Sequence, residues 1–260
     1  MATHLRLENV SKSFGVGGAA ETRAIDGITL DVEEGEFLAV VGPSGCGKST
    51  LLQIAAALIA PSGGVVRLDG VAVTAPPPSM VYLFQQYAKS LFAWRTVVDN
   101  VAFAVEHRKG MTKDAARAHS RGFLERVGLA EFADRYPWQL SGGMQQRAAI
   151  ARALAAEPRV LLMDEPFSSV DALTRLELHA LVQDLRSKQR FTAVLVTHDV
   201  DEAVFLADRI VVLSARPARV VRTIDTGLPR PRDNIETRED PRFLALRHEL
   251  LAMLLKKADG

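Results

Sequence analysis

The segment GPSGCGKST, residues 42–50, constrains this 260-residue chain more than any other. It follows the apolar run FLAVV and precedes the apolar segment TLLQIAAALIA, which indicates a strand, a glycine-rich loop and a helix in that order. The spacing fits G-x-x-x-x-G-K-[ST], in which loop N–H groups and the helix N-terminus face phosphate groups. The sequence therefore predicts a nucleotide-binding α/β fold.

Each residue of this loop is a candidate for phosphate binding. Glycines let the backbone turn tightly, Lys48 would neutralise β- and γ-phosphate oxygens, and the Ser49 hydroxyl would ligate Mg²⁺. The predicted nucleotide contacts are Gly42, Pro43, Ser44, Gly45, Cys46, Gly47, Lys48, Ser49 and Thr50. The alternative interpretation is a glycine-rich turn with a solvated lysine.

Charge and hydropathy narrow the class of protein. The net charge of +1 is not the strongly basic balance typical of a dedicated nucleic-acid binder. No run approaches the roughly 18 uninterrupted apolar residues that span a bilayer, and the N-terminus lacks the apolar core of a signal peptide. The single cysteine, Cys46, cannot form an internal disulfide. We therefore expect a cytoplasmic chain.

The pattern of secondary structure changes along the chain. Residues 87–158 are mostly helical in pattern, with Thr112 as the N-cap of a helix that ends near Val127. The β pattern returns in VLLMD, AVLVT and RIVVL, which are typical of buried parallel strands. The charged, proline-containing residues 228–240 indicate a linker. A helix is predicted after it, because Phe243, Leu246, Leu250 and Leu254 recur at helical spacing. We expect this helix to dock on its own core, and a partner-binding helix is the alternative.

Two acidic residues close the segment VLLMDEP. Asp164 at the end of the predicted strand would hold Mg²⁺ directly or through water, and Glu165 would orient or deprotonate an attacking water. An apolar run that ends in Asp-Glu is also an ordinary strand terminus. The phosphate-binding loop favours the catalytic interpretation.

The segment LSGGMQQR, residues 140–147, separates this chain from a generic phosphate-loop enzyme. Ser141, Gly142 and Gly143 precede a long predicted helix, and the helix N-terminus adds positive potential toward an anion. A serine N-cap followed by glycines is the alternative.

These motifs resemble those of the ABC-family ATPase cassettes, whose signature is LSGGQ. Met144 stands at the place of the signature glutamine, as in the nitrate, sulfonate and taurine importer ATPases, where LSGGM is frequent. The segment LFAWRTV is similar to their LFPWRTV, with Ala93 replacing proline. The resemblance covers about Leu5 to Val221. It implies a P-loop NTPase (RecA-like) α/β core with an N-terminal antiparallel β subdomain and an inserted α-helical subdomain.

The resemblance also implies boundaries. We expect an ABC ATPase domain over residues 1–225, with its core at 1–86 and 159–225 and its helical subdomain at 87–158. Residues 226–260 would form a C-terminal linker and helix.

Further site residues follow from the resemblance alone. Phe14 would stack on adenine, and Gln85 would sense Mg²⁺ and the attacking water, with Gln86 as a substitute. Asp171, in a Ser-Val-Asp version of the Ala-Leu-Asp loop, would cross a dimer interface, and His198 would contact the γ-phosphate. The resemblance thus implies ATP and Mg²⁺ as ligands. Ser49, Gln85 and Asp164 form the metal set; Ser141, Gly142, Gly143, Met144 and Asp171 join the ATP contacts.

The implied function is the ATPase subunit of an ABC importer for a small anionic solute such as nitrate, a sulfonate or taurine. Its partners would be a second copy or a homologous ATPase subunit, an integral membrane permease and, indirectly, a solute-binding protein, on the cytoplasmic face of the membrane. The alternative is a non-transport ABC ATPase that acts on nucleic acid or ribosomes. A phosphate-loop kinase or GTPase would leave LSGGM unexplained.

Overall fold

The computed structural model describes residues 3–15, 22–86, 90–107 and 110–255, so Tyr87, the predicted start of the helical subdomain, lies outside the described residues. The chain divides into two compact units, Met1–Pro77 with Phe191–Gly260, and Pro78–Arg190. The boundaries that the sequence suggests for the ATPase domain, its subdomains and the C-terminal segment stay predictions.

The described strands and helices are named here in chain order. The strands are β1 (Thr3–Phe14), β2 (Thr22–Glu33), β3 (Phe37–Val41), β4 (Gly63–Leu68), β5 (Val71–Ala72), β6 (Met80–Leu83), β7 (Val160–Asp164), β8 (Thr192–Val196), β9 (Arg209–Leu213) and β10 (Val220–Asp225). The helices are α1 (Lys48–Ala55), α2 (Val97–Ala102), α3 (Lys113–Arg126), α4 (Gly142–Ala155), α5 (Ala172–Gln189), α6 (Val200–Leu206), α7 (Glu236–Glu239) and α8 (Pro241–Leu255).

The first unit contains an antiparallel sheet in the order β2-β1-β4-β5. Its long strand β1 pairs with both β2 and β4, and Leu5, Leu7 and Val10 turn their side chains into the core. This sheet confirms the predicted N-terminal antiparallel subdomain.

Four more strands of the first unit lie in the order β10-β9-β3-β8. Strand β3 pairs in parallel with both β8 and β9, whereas β10 is antiparallel to β9. All five residues of β3 and of β8 are buried, as expected for parallel strands covered on both faces. The predicted buried strands are therefore confirmed.

Helix α1 is shorter than the apolar segment suggests. Apolar residues continue to Ala60, but the helix ends at Ala55 and Ala57 has a left-handed backbone with φ of 55°. The backbone N–H of Ala57 donates to the Ile54 carbonyl at 2.9 Å, which closes a turn in place of another helical turn. Hydrophobicity alone did not show this helix end.

The second unit pairs β6 with β7 in parallel and carries α2 to α5. Thr112 caps α3, since its Oγ1 accepts a hydrogen bond from the Ala115 N–H at 3.2 Å, and the helix ends at Arg126. Both predicted ends of this helix are confirmed to within one residue. Ala102, Val105 and Ala116 form an apolar cluster at the α2–α3 contact.

The C-terminal helix α8 buries Phe243, Leu246 and Leu250, whereas Leu254, the fourth residue of the predicted pattern, is only half-buried. The preceding segment, interpreted from sequence as a linker, buries the side chain of Arg232. Among the described residues, no helix is both long enough and apolar enough to cross a bilayer.

Candidate functional site

The phosphate loop continues directly from β3, and its last three residues, Lys48 to Thr50, form the start of α1. Gly45 and Gly47 have φ angles of 68° and 123°, which L side chains rarely adopt. A Cβ atom at Gly47 would also lie 3.2 Å from the Ala24 carbonyl oxygen. Gly47 is the N-cap residue of α1 and no side chain caps that position. The first-turn N–H groups therefore suit an anionic ligand.

Lys48 is held against the carbonyl groups of its own loop. Its Nζ donates to Gly42 O at 2.8 Å and to Pro43 O at 2.9 Å, and the residue is only 5% exposed. These hydrogen bonds offset the cost of burying the ammonium group. Because an ammonium has three donors, the two bonds within the loop leave one for a phosphate oxygen. The loop therefore fits a nucleotide phosphate.

His198 and the phosphate loop both follow the carboxyl ends of strands in the same sheet. Val40 of β3 is paired with Val196 of β8. Gly42 lies two residues after Val40, and His198 lies two residues after Val196. Ligands of α/β sheets bind outside the carboxyl ends of the strands. The exposed His198 side chain is thus placed at the edge where a nucleotide would lie.

Phe14 ends β1 with 47% of its surface exposed, and the Lys12 ammonium lies 5.2 Å from its ring centroid. This exposure does not fit an ordinary phenylalanine of the core, whereas a phenylalanine in a turn would also be exposed. A ring open to solvent suits stacking on a base, a role that stays a prediction.

Gln85 and Glu165 meet beyond the strands of the second unit. Leu83 of β6 is paired with Met163 of β7. Gln85 lies two positions after Leu83, and Glu165 lies two positions after Met163. Gln85 Nε2 donates to Glu165 Oε2 at 3.0 Å. The structure therefore brings the predicted Mg²⁺-sensing residue and the predicted general base into direct contact.

Asp164 ends β7 and is 6% exposed. The hydroxyl of Tyr82 on β6 donates to Asp164 Oδ2 at 2.9 Å. In the described part of the chain no group of three or more His, Cys, Asp or Glu side chains could hold a metal ion. One carboxylate is nevertheless a usual protein contribution to Mg²⁺ bound with phosphates and water, so Asp164 fits that metal.

Glu165 has an unusual backbone conformation. Its φ of 45° lies in the left-handed region, which costs energy for a residue with a Cβ atom. The turn is stabilised by Ser168, whose Oγ donates to the Glu165 carbonyl at 3.0 Å, and by the fully buried Gln146, whose Nε2 donates to Pro166 O. Strain of this kind is common at functional sites.

The segment LSGGM begins α4. Ser141 Oγ accepts a hydrogen bond from the Met144 N–H at 3.3 Å. In the single chain Ser141 is therefore the N-cap of α4, as the alternative interpretation expects. A Cβ atom at Gly143 would lie 2.7 Å from Thr174 Cγ2 of α5. A side chain at position 143 would thus force the Thr174 side chain to shift. Contact of this segment with ATP stays a prediction.

Asp171 is the N-cap of α5, since its Oδ1 accepts from the Thr174 N–H at 3.0 Å. Hydrogen bonds from Thr174 lower the pKa of the Asp171 carboxyl. The bond from the Thr174 backbone contributes most, and the bond from its side chain is second. The carboxylate is therefore charged and exposed at a helix N-terminus.

The family model for ABC transporters matches residues 25–168. This chain belongs to the ABC transporter family.

Curated relatives agree with this assignment. The cassette is 47% identical to the uncharacterized ABC transporter ATP-binding protein MJ0412 of Methanocaldococcus jannaschii, over 98% of this chain and 92% of the relative. It is 44% identical to the bicarbonate transport ATP-binding protein CmpC and 42% identical to the nitrate import ATP-binding protein NrtC, both of Synechococcus elongatus. In both comparisons it spans 98% of its own length but only 38% of the relative's.

Solved structures show the same fold. The cassette matches the dimeric structure of MJ0796, a bacterial ABC transporter cassette, with a TM-score of 0.75 and 33% identity over 85% of this chain and 98% of that chain. A post-hydrolysis dimer of MJ0796 bound to ADP and Pi matches with a TM-score of 0.74, 32% identity and the same coverage. The predicted P-loop NTPase fold is confirmed.

Three residues that support the site of the cassette were missed from sequence. Tyr82 donates a hydrogen bond to Asp164, and Gln146 donates one to the Pro166 carbonyl. Arg216 Nη2 donates to the Gly45 carbonyl of the phosphate loop at 2.8 Å. A signal existed for Gln146, a polar residue on the buried side of a helix. Arg216 offered none, because 171 positions separate it from Gly45.

Proposed function

We propose that this chain is the ATP-hydrolysing subunit of an importer and works at the cytoplasmic face of a membrane. The observation that carries the proposal is the phosphate loop, in which Lys48 is buried against loop carbonyls before an uncapped helix N-terminus. This is a site for a polyphosphate ligand. Membership of the ABC transporter family supports ATP as that ligand.

The residues near the sheet edges supply the chemistry in this proposal. Glu165 takes the proton of the attacking water and Gln85, which already bonds to it, orients the pair. His198 contacts the γ-phosphate, and Phe14 stacks on adenine. Ser49, Gln85 and Asp164 hold Mg²⁺, which would neutralise charge on the phosphate oxygens when bound.

A second copy or a homologous subunit completes each ATP site. Residues 141–144 and Asp171 of one subunit would face the nucleotide on the phosphate loop of the other. The dimeric structure of the MJ0796 cassette supports self-association of this chain. ATP binding would close the dimer and release of phosphate would reopen it.

The permease would contact the second unit near the segment that follows Gln85. A cavity of about 690 Å³ there is lined by aromatic residues that include Phe84, Phe92 and Phe103. An apolar, concave surface of this size suits a short helix of a membrane protein. Motion of the cassette would pass to the permease at this surface.

The transported solute is a small oxyanion in this proposal. The names of two relatives specify bicarbonate and nitrate, which are both planar and singly charged. A permease and a separate binding protein would select the anion. Nitrate and bicarbonate therefore precede sulfonates and taurine as candidates.

ATP hydrolysis by the purified chain, with and without the substitution Lys48→Ala, tests the catalytic part. Lys48→Ala should abolish both nucleotide binding and hydrolysis because it removes the phosphate-facing ammonium. Lys188→Ala is the control, since this exposed lysine pairs with Asp184 on the surface of α5. Tight ATP binding by the Lys48→Ala chain would contradict the assignment.

Copurification and uptake test the transport part. We expect a multi-spanning membrane protein to copurify with the tagged chain, and cells lacking the chain to lose uptake of nitrate or bicarbonate. ATP hydrolysis that is stimulated by nucleic acid, with no membrane partner, would favour the non-transport alternative.

A further inference from the structure

His198 lies between a strand end and the start of α6. The N-cap of α6 is Asp199, whose Oδ1 accepts from the Glu202 N–H at 3.1 Å. The Asp199 N–H in turn donates to Thr197 Oγ1 at 3.0 Å. His198 directly precedes the N-cap residue, so its backbone is joined to the N-terminus of α6.

Arg232 holds the other end of the same helix. Its Nη1 donates to the carbonyls of Phe205 at 2.7 Å and Ala207 at 2.8 Å, and its side chain is 1% exposed. The last carbonyls of a helix have no partner within it, and α6 has no basic residue in its last turn. Arg232 therefore caps α6 from a segment that the sequence suggests is a linker.

Other residues of the C-terminal segment hold α6 along its length. The Arg238 guanidinium lies 4.5 Å from the ring centroid of Phe205, and Arg247 Nε lies 3.2 Å from Asp201 Oδ1. Thr226 Oγ1 is 2.9 Å from the Ala207 carbonyl and is fully buried. The segment thus contacts the first turn, one face and the last turn of the helix.

We infer that Arg232 is a positioning residue for His198 and acts through α6. Without the guanidinium, the Phe205 and Ala207 carbonyls each lose one donor, although Thr226 Oγ1 still donates to Ala207. The loss of hydrogen bonds to buried carbonyls is costly. The short helix would loosen, and His198 at its other end would lose its fixed place. The inference rests on the proposed role of His198 in ATP hydrolysis, but the state of α6 can be measured without it.

Hydrogen exchange of the nucleotide-free chain tests the contact itself. Arg232→Met should raise exchange of the α6 amides about tenfold and leave the amides of β3 unchanged. Arg222→Met is the matched control, because this arginine pairs with Glu249 at the surface. Thr226→Val, which removes one hydroxyl donor, should act in the same direction with a smaller effect. Unchanged α6 exchange in both Arg232→Met and Thr226→Val overturns the inference.

A double-mutant cycle tests the link to His198. Arg232→Met should lower kcat for ATP about tenfold or more with little change in nucleotide affinity, as expected for a displaced site residue. In a His198→Ala chain the same substitution should have no further effect on kcat. Multiplicative losses would overturn the action through His198. A wild-type chain without ATPase activity would contradict the proposed function, whereas the exchange experiment would still decide whether Arg232 holds α6.

Discussion

Gln85 Nε2 donates a hydrogen bond of 3.0 Å to Glu165 Oε2. The two residues are 80 positions apart in sequence, yet each follows a paired residue, Leu83 or Met163, by two positions. Parallel pairing of β6 and β7 therefore sets their separation. The amide of Gln85 fixes the orientation of one carboxylate oxygen of Glu165.

Replacement of Glu165 by glutamine should lower the rate of ATP hydrolysis by about 10²- to 10⁴-fold, because it removes a general base. ATP affinity should persist, and dimers should accumulate with ATP. Phosphate release, nucleotide titration and size-exclusion chromatography measure these quantities. Glu131→Gln, at an exposed position of the second unit, is the control. Normal turnover by Glu165→Gln would show that the assigned role is wrong.

The substitution Gln85→Glu should lower the rate of ATP hydrolysis. It replaces the amide that donates to Glu165 Oε2 with a carboxylate, so the hydrogen bond is lost and two like charges become neighbours. Phosphate release measures the rate, and Gln86→Glu is the matched control because Gln86 is the alternative candidate from sequence. If only the Gln86 variant loses activity, the assignment passes to that residue.

Removal of the Tyr82 hydroxyl should weaken the metal site. Tyr82→Phe deletes the donor at 2.9 Å from Asp164 Oδ2, so the carboxylate becomes less well oriented. We expect half-maximal hydrolysis to require more Mg²⁺, and the free energy of unfolding to fall by about 1 kcal/mol. Tyr136→Phe serves as the control at an exposed ring. An unchanged Mg²⁺ dependence would remove Tyr82 from the site.

Two glycine substitutions should change stability in opposite directions. Gly143→Ala places a methyl 2.7 Å from Thr174 Cγ2 and should cost about 1–3 kcal/mol of unfolding free energy. Gly122→Ala, in α3 with nothing within 4 Å of the new Cβ, should add about 0.5–1 kcal/mol. Thr174→Ser removes the obstructing methyl and should restore the Gly143→Ala chain. Denaturant unfolding measures all three, and equal effects of the two alanines would refute the contact.

The Asp171 cap should make stability depend on pH. Its carboxyl has a lowered pKa in the folded chain, so its contribution is present above the pKa of unfolded aspartate, about 3.9. The contribution is lost as pH falls through the lowered folded pKa. Asp171→Asn keeps a capping side chain without the charge. The Tm of wild type should exceed that of Asp171→Asn near neutral pH and converge with it in acid. A difference that does not vary with pH would exclude this role.

Local features were predictable from sequence because their causes lie within a few residues. Gly42, Gly47 and Lys48 specify the phosphate loop by their spacing. The Thr112 side chain accepts from an amide three residues further on, and Phe243, Leu246 and Leu250 recur at the spacing of helical turns. The end of α1 was missed because apolar character continues beyond it.

Only the tertiary structure decided which polar groups support the site. Tyr82 reaches Asp164 across paired strands, Arg216 reaches Gly45 over 171 positions, and Arg232 reaches the end of α6 from a charged segment that suggests a solvated linker. Such contacts do not recur with a fixed spacing in the sequence. The sequence also does not distinguish a charged side chain that contacts water from one that contacts the end of a helix. The phosphate loop is therefore evident from the sequence, whereas the partners that hold Gly45, Glu165 and α6 in place are set by long-range pairing and burial.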